Sequence, residues 1–214
     1  MSSVERVDEG AVQILRINRP DRKNALDLET FAELRAHADA LRSVPSLRGV
    51  VITGEPSGGV FVSGGDLKVL KDVRTARGAR DLARKALATL DALRELGVPL
   101  VAAVAGDAFG GGCELAAACD YRVAERQVRF HWVQARFGVT TGWGGAANLL
   151  DLVSRGTAMR WLLTTDPVGA GEARAAGFVD AVVEQGVAAS STRGTSSGAS
   201  PGSPRREPGG WCSC

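Results

Sequence analysis

The sequence predicts an α/β domain with largely parallel strand pairing. Short β-branched and apolar runs at Val12 to Ile17, Gly49 to Thr53, Pro99 to Val104 and Asp120 to Ala124 have the length and alternation of strands. Stretches with helical spacing fill the gaps between them. At 214 residues, 44% of them hydrophobic and 23% charged, the chain is long enough to bury one core.

Each element follows from local chemistry. After the first strand, Asn24 or Asp27 is placed to cap a helix whose Leu28, Phe31, Leu34, Ala38 and Leu41 share a stripe. The strand at 49 to 53 leads into "GVFVSGGDLK", residues 59 to 68, a glycine-rich turn. Leu82, Ala86, Leu90 and Leu93 mark the buried face of a second helix, which ends near Gly97 and Pro99. The strand at 99 to 104 leads into a second glycine-rich turn, "GDAFGGGCE" at 106 to 114, and "GFVDAVVEQG" supplies a last strand. Beyond Gly186 the composition shifts to Ser, Gly, Pro and Arg with little to bury. Residues 1–186 are therefore expected to form the core and residues 187–214 a disordered tail. A natural flexible tail and an altered reading frame both fit that shift.

Composition narrows the function. Arg193, Arg205 and Arg206 against Glu207 place the whole formal charge of +2 in the tail, so no basic nucleic-acid surface is indicated. There is no signal-peptide core, transit-peptide pattern or long uncharged apolar span, and the expectation is a soluble cytoplasmic protein without a membrane partner. Cys113, Cys119, Cys212 and Cys214 have neither a disulfide framework nor zinc spacing, and the first two read as buried thiols. Dinucleotide, P-loop, nucleophile-elbow and HExxH signatures are all missing. His37 and His131 read as structural.

The chemistry concentrates in the two glycine-rich turns. Both read as opening helices, where unpaired N–H groups and the helix dipole favour negative charge and glycine admits a ligand oxygen. Two such turns converging would form an oxyanion hole, with Glu114 in the first helical turn as a base beside the polarised carbonyl. Taken singly, each glycine run also fits a tight turn under close packing, and Glu114 also fits a residue that merely complements the dipole.

Several segments, in order, resemble the crotonase (enoyl-CoA hydratase/isomerase) superfamily: "INRPDRKNAL" at 17 to 26, "FVSGGDL" at 61 to 67, "AVAGDAFGGGCELAAACDYRVA" at 103 to 124, "FGVTTGWGGAANL" at 137 to 149 and "EARAAGFVDAVV" at 172 to 183. The resemblance covers about residues 8 to 186. It implies a spiral of ββα units, assembly as a homotrimer or dimer of trimers, and an acyl-CoA thioester substrate that carries its own coenzyme A, with no separate cofactor and no metal. By position it implies Gly65 and Gly111 as oxyanion donors and Glu114 as the acid/base residue. Lys23 and Lys68 fall near the coenzyme A phosphates, and Ala25, Ser63, Gly64, Asp66 and Trp143 complete the expected binding residues. The helix around Leu70 to Leu90 should contribute to the acyl-pocket wall.

Two departures qualify the resemblance. Hydratases of this family carry a second glutamate twenty residues after the first, where this chain has Gln134, and an amide cannot take a proton from water. The stretch "FHWVQARFGVTTGWGG", 130 to 145, is locally similar to the ethylmalonyl- and methylmalonyl-CoA decarboxylase branch, whose reaction needs no second carboxylate. The C-terminal helices of the family are expected to be missing. Three readings stay open on sequence: a decarboxylase of 2-alkylmalonyl-CoA, a true hydratase or isomerase, and an inactive truncated homologue that serves only in binding or assembly.

Overall fold

A computed structural model describes residues 2–66, 73 and 75–190. The chain opens with an antiparallel hairpin, β1 (Val4–Glu9) and β2 (Val12–Ile17), turning at Gly10 with φ +70°. β1 was not anticipated, because its charged side chains hide the strand: of its six residues only Val4 is buried, as suits an edge strand. β2 then pairs in parallel with β3 (Gly49–Gly54), β3 with β5 (Leu100–Val104), β5 with β7 (Tyr121–Glu125), and β7 with β10 (Ala181–Val183). The four strands read from apolar runs are the centre of this six-stranded sheet.

A second sheet was not legible in the sequence. Its order is β4 (Val60–Val62), β6 (Asp107–Phe109), β8 (Arg129–His131) and β9 (Val168–Gly169), with the first three mutually parallel. None exceeds three residues, too few to display alternation. Each glycine-rich turn therefore follows a short strand of this second sheet rather than a long strand of the first. Three consecutive units of long strand, short strand and helix result, as the expected ββα spiral requires.

The helices are α1 (Leu28–Leu41), α2 (Ala76–Arg94), α3 (Gly111–Ala118), α4 (Gly145–Leu152), α5 (Arg155–Thr164), α6 (Ala170–Ala175) and α7 (Val187–Ser190). Asp27 caps α1 by accepting the Thr30 N–H at 2.9 Å. Asn24 has another task. The stripe of α1 is Phe31, Leu34, Ala38 and Leu41; Leu28, at its first position, is exposed instead. α3 is buried along its whole length, which suits its preponderance of Ala, Gly and Cys between the two sheets and the helices around it. Cys113 and Cys119 are free buried thiols, and burial pushes the Cys119 thiol up to about 12, so both are inert packing groups. Core burial reaches past the compositional break, since α7 packs near β5 and β7 with Ala188 buried. The remainder of the expected tail, 191–214, lies outside the described residues.

One buried cation locks the C-terminal part of the long sheet. Arg122 is 2% exposed; its guanidinium donates to the carbonyls of Phe178 at 2.6 Å, Cys119 at 2.5 Å and Asp120 at 3.2 Å, and to Asp180 Oδ2 at 2.7 Å. Removing it strands three carbonyls and a carboxylate together. Arg122→Ala should cost about 3 kcal/mol of stability in reversible denaturant unfolding, whereas Arg84→Ala, on an exposed pair in α2, should cost under about 0.5 kcal/mol.

Candidate active site

The register of the small sheet sets the site. β4 and β6 are parallel neighbours with Val62 opposite Ala108, and Gly65 and Gly111 each lie three residues beyond that pair. Both turns thus leave adjacent strands at the same end, the carboxyl end where α/β proteins commonly bind ligands. The approach is close: a methyl group on Gly64 would lie 3.1 Å from the Gly111 nitrogen. Gly64 has φ +100° and Gly110 φ +49°, backbone conformations that explain glycine at both positions.

Both expected donors lack a partner among the described residues. Leu26 bridges in parallel to Gly65, donating to the Gly64 carbonyl at 2.8 Å and accepting from the Asp66 N–H at 2.8 Å. In a parallel bridge of that register the flanking residues take the hydrogen bonds, and the central residue's own N–H faces the other way. Gly111 is the first residue of α3, where an N–H has no intrahelical partner. Among the described residues neither N–H meets an acceptor.

Glu114, the carboxyl-bearing residue of α3, is 3% exposed. Its Oε2 accepts the N–H groups of Trp143 at 2.7 Å and Gly145 at 3.0 Å; its Oε1 accepts Gln134 Nε2 at 3.0 Å and the Gly142 N–H at 3.3 Å. Burial raises the carboxyl above its ordinary value, and the four donors pull it back only in part. β8 ends at His131, so the short 3₁₀ segment Val133–Phe137 that follows carries Gln134 to this carboxylate. The other Gln134 atom, Oε1, is buried without a partner among the described residues.

These groups line a cavity of about 590 Å³, an ordinary size for a small-molecule site. Ser63, Gly64, Gly65, Gly111, Glu114, Gln134 and Trp143, all expected, lie on its wall. Val73, Ala79, Leu82 and Ala83 add an apolar side from the region of α2, as anticipated, and Val133, Phe137 and Val139 add another that the sequence did not suggest. Three expected binding residues are placed differently. Lys23 is exposed beside the first turn, its carbonyl accepting the Ser63 N–H at 3.2 Å. Ala25 and Asp66 stand behind the wall: the Ala25 carbonyl accepts from Arg19 Nη1, and Asp66 Oδ2 meets Arg19 Nη2 at 3.4 Å. Lys68 lies outside the described residues.

The supports of the first turn went unnoticed in the sequence. Asn24 is fully buried with φ +54°; its Nδ2 donates to the carbonyls of Glu55 at 3.0 Å and Val60 at 2.8 Å, tying the 19–25 loop to β4. Arg19 pairs with Asp27 at 2.6 Å as well as with Asp66. Only the two side-chain types in "NRPDRKNAL" hinted at this. His131 and His37 serve structure, as expected. His131 stacks on Phe109 at 4.1 Å and meets Asp107 at 3.1 Å, while His37 reaches the Val4 carbonyl. Among the described residues no cluster of His, Cys, Asp and Glu could hold a metal ion, and no helix is long and apolar enough to cross a membrane.

Two N–H groups without a partner among the described residues, a buried carboxyl and an apolar cavity together could stabilise negative charge on a carbonyl oxygen. The sequence profile of the enoyl-CoA hydratase/isomerase family matches residues 8–195. The chain belongs to that family. It is 36% identical over 179 residues to the crotonyl-CoA hydratase of Syntrophomonas wolfei, and 35% identical over 178 residues to the short-chain-enoyl-CoA hydratase of Clostridium acetobutylicum. Each alignment takes in 82% of this chain and 67% of the relative. Among solved structures, Pseudomonas aeruginosa DspI superposes with a TM-score of 0.83 at 32% identity, covering 89% of this chain and 72% of that one. The enoyl-CoA hydratase of Bacillus anthracis superposes with a TM-score of 0.82 at 27% identity, covering 88% and 73%. The crotonase-like fold expected from the sequence is thus established.

The packing of α3 yields a test. A methyl on Gly112 would lie 2.0 Å from the Val62 carbonyl oxygen, so Gly112→Ala must push α3 off β4; a loss of about 3 kcal/mol or more in unfolding free energy is expected. Gly156→Ala in α5, where nothing lies within 4 Å of the new methyl, should instead leave stability unchanged or raise it by about 0.5 kcal/mol.

Proposed function

We propose that this enoyl-CoA hydratase/isomerase family member acts on a short acyl-CoA thioester through an enolate, and that its reaction is decarboxylation of a 2-alkylmalonyl-CoA. The Gly65 and Gly111 N–H groups would receive the thioester oxygen as it gains charge, favouring the enolate over the ground-state carbonyl. The bond from the α-carbon to the carboxylate breaks, its electron pair enters the enolate, and carbon dioxide leaves. Protonation at the α-carbon by the Glu114 carboxyl or a water beside it completes the step. Lys23, exposed at the edge of the first turn, suits a coenzyme A phosphate.

The observation that carries this reading is the hydrogen bond from Gln134 Nε2 to Glu114 Oε1 at 3.0 Å. Hydration needs a group to take a proton from water, and the residue facing Glu114 is an amide without that capacity. Burial of Glu114 supports the same reading, because it raises the carboxyl and so extends to higher pH the acid form that neither repels a substrate carboxylate nor lacks the proton to deliver. Hydration remains the second reading, favoured by the relatives' names, crotonyl-CoA hydratase and short-chain-enoyl-CoA hydratase.

The two reactions respond oppositely to pH. Decarboxylation driven by the acid form of Glu114 should hold steady at low pH and fall as pH rises through the elevated Glu114 value; hydration driven by the ionised form should rise through it. Carbon dioxide release from methylmalonyl- or ethylmalonyl-CoA and hydration of crotonyl-CoA should both be followed across pH. The expected outcome is faster decarboxylation with a descending limb, lost by about 10²- to 10⁴-fold in Glu114→Gln. Gln134→Glu should shift the ratio toward hydration. Brisk hydration with an ascending limb and no carbon dioxide would overturn the decarboxylase reading.

A further inference from the structure

Trp143 touches both halves of the site. Its backbone N–H donates to Glu114 Oε2 at 2.7 Å, and its indole occupies the space where a Gly111 side chain would be: a methyl there would lie 2.0 Å from Cζ3, 2.4 Å from Cη2 and 2.7 Å from Cε3. The ring also meets Phe31 of α1 edge to face, with centroids 5.0 Å apart and planes at 84°. Phe31 is itself 2% exposed, so the indole packs against a buried neighbour. We propose that Trp143 is a positioning residue that holds the Gly111 donor and the Glu114 carboxyl in one fixed arrangement, its ring acting as the stop against the start of α3 and its main chain as the anchor of the carboxyl.

The geometry separates this role from mere filling of space. A residue that only filled the core could be made smaller at a cost in stability alone. Trp143 instead spans from Phe31 to the first residue of α3 and lines the cavity, so its removal frees the α3 N-terminus and opens Glu114 to water. The backbone N–H survives substitution. What changes is how firmly the 142–145 segment is held and how dry the carboxyl stays.

This inference rests on the active-site reading above, and its test has arms that need no substrate. The first arm compares Gly111→Ala in the natural background and in Trp143→Ala by thermal unfolding. The added methyl collides with the ring only in the natural background, so its effect on Tm should shrink at least about twofold once the ring is gone. The second arm follows the Glu114 carboxyl by ¹³C NMR of glutamate-labelled protein, assigned with Glu114→Gln. Titration in Trp143→Ala should move down toward the ordinary carboxylate range as water replaces the indole, with Trp143→Phe between. In turnover, kcat should fall about tenfold or more in Trp143→Ala with KM changed under about threefold, and Trp143→Phe should recover part of the loss. If Trp143→Ala does not fold, Trp143→Phe carries the same comparisons at smaller amplitude. A folded Trp143 variant with unaltered Glu114 titration, or a Gly111→Ala penalty equal in both backgrounds, would overturn the proposal. Absence of turnover in the unaltered protein would instead count against the function proposed above and leave these two arms standing.

Discussion

The active site depends on how closely one helix can approach one strand. Gly112 lies against the Val62 carbonyl and Gly111 against the Trp143 ring, at separations that admit no side chain. Because α3 begins so near β4, its first N–H arrives beside the turn that carries Gly65. A larger residue at either position would move the helix by ångströms, and with it both the Gly111 donor and Glu114. Further along, the helix is enclosed on every side, and apart from Glu114 and Leu115 it continues in small residues, cysteine and alanine.

A carboxyl in a helix so enclosed must be compensated by donors. Burial of Glu114 disfavours its charged form, and four N–H groups aimed at its two oxygens partly offset that. Three of the four are main-chain groups of the glycine-rich 142–145 segment, so the glycines of "GWGG" have a purpose apart from substrate: Gly145 leaves room for the Glu114 side chain, which a methyl there would strike at 2.3 Å. The fourth donor is Gln134. Carboxyl and amide therefore form a pair in which only one member can exchange a proton, and this asymmetry more than the fold separates the possible reactions.

The sequence revealed the parts whose signal is periodic or compositional. Long central strands announce themselves by apolar alternation, and α1 and α2 by their stripes. The strands of the second sheet are too short for alternation to register, although they position both turns. The glycine run 110–112 was read as baring the backbone to a ligand oxygen, and the structure divides that task. Gly110 supplies a left-handed turn, Gly111 an N–H under an indole, and Gly112 a close crossing with Val62. No local pattern could separate these roles, because each depends on a residue distant in the chain. The same holds for Arg122, whose partners at Phe178 and Asp180 come from the far end of the domain. Gln134 is the opposite case: the family resemblance placed it opposite Glu114, at the position of the second glutamate, and the hydrogen bond is there.

The two turns are held by different physics. The second is fixed by apolar packing, through Val62, Trp143 and Phe31. The first is fixed by polar groups in confined space: Asn24 on two carbonyls, and Arg19 among Asp27, Asp66 and the Ala25 carbonyl. Burial pushes the Asp27 carboxyl up, but the Thr30 N–H and hydroxyl and the Arg19 charge outweigh it and hold the group below its ordinary value. A carboxyl depressed on folding contributes stability above its unfolded value and loses it as pH falls through the folded one, so the first turn weakens on the acid side. Glu114 is raised on folding, and its contribution is lost as pH rises from its unfolded toward its folded value, so the second turn weakens in the opposite direction. The oxyanion donors thus belong to supports with opposite pH tolerance, and the interval between those limits is where both N–H groups are held together.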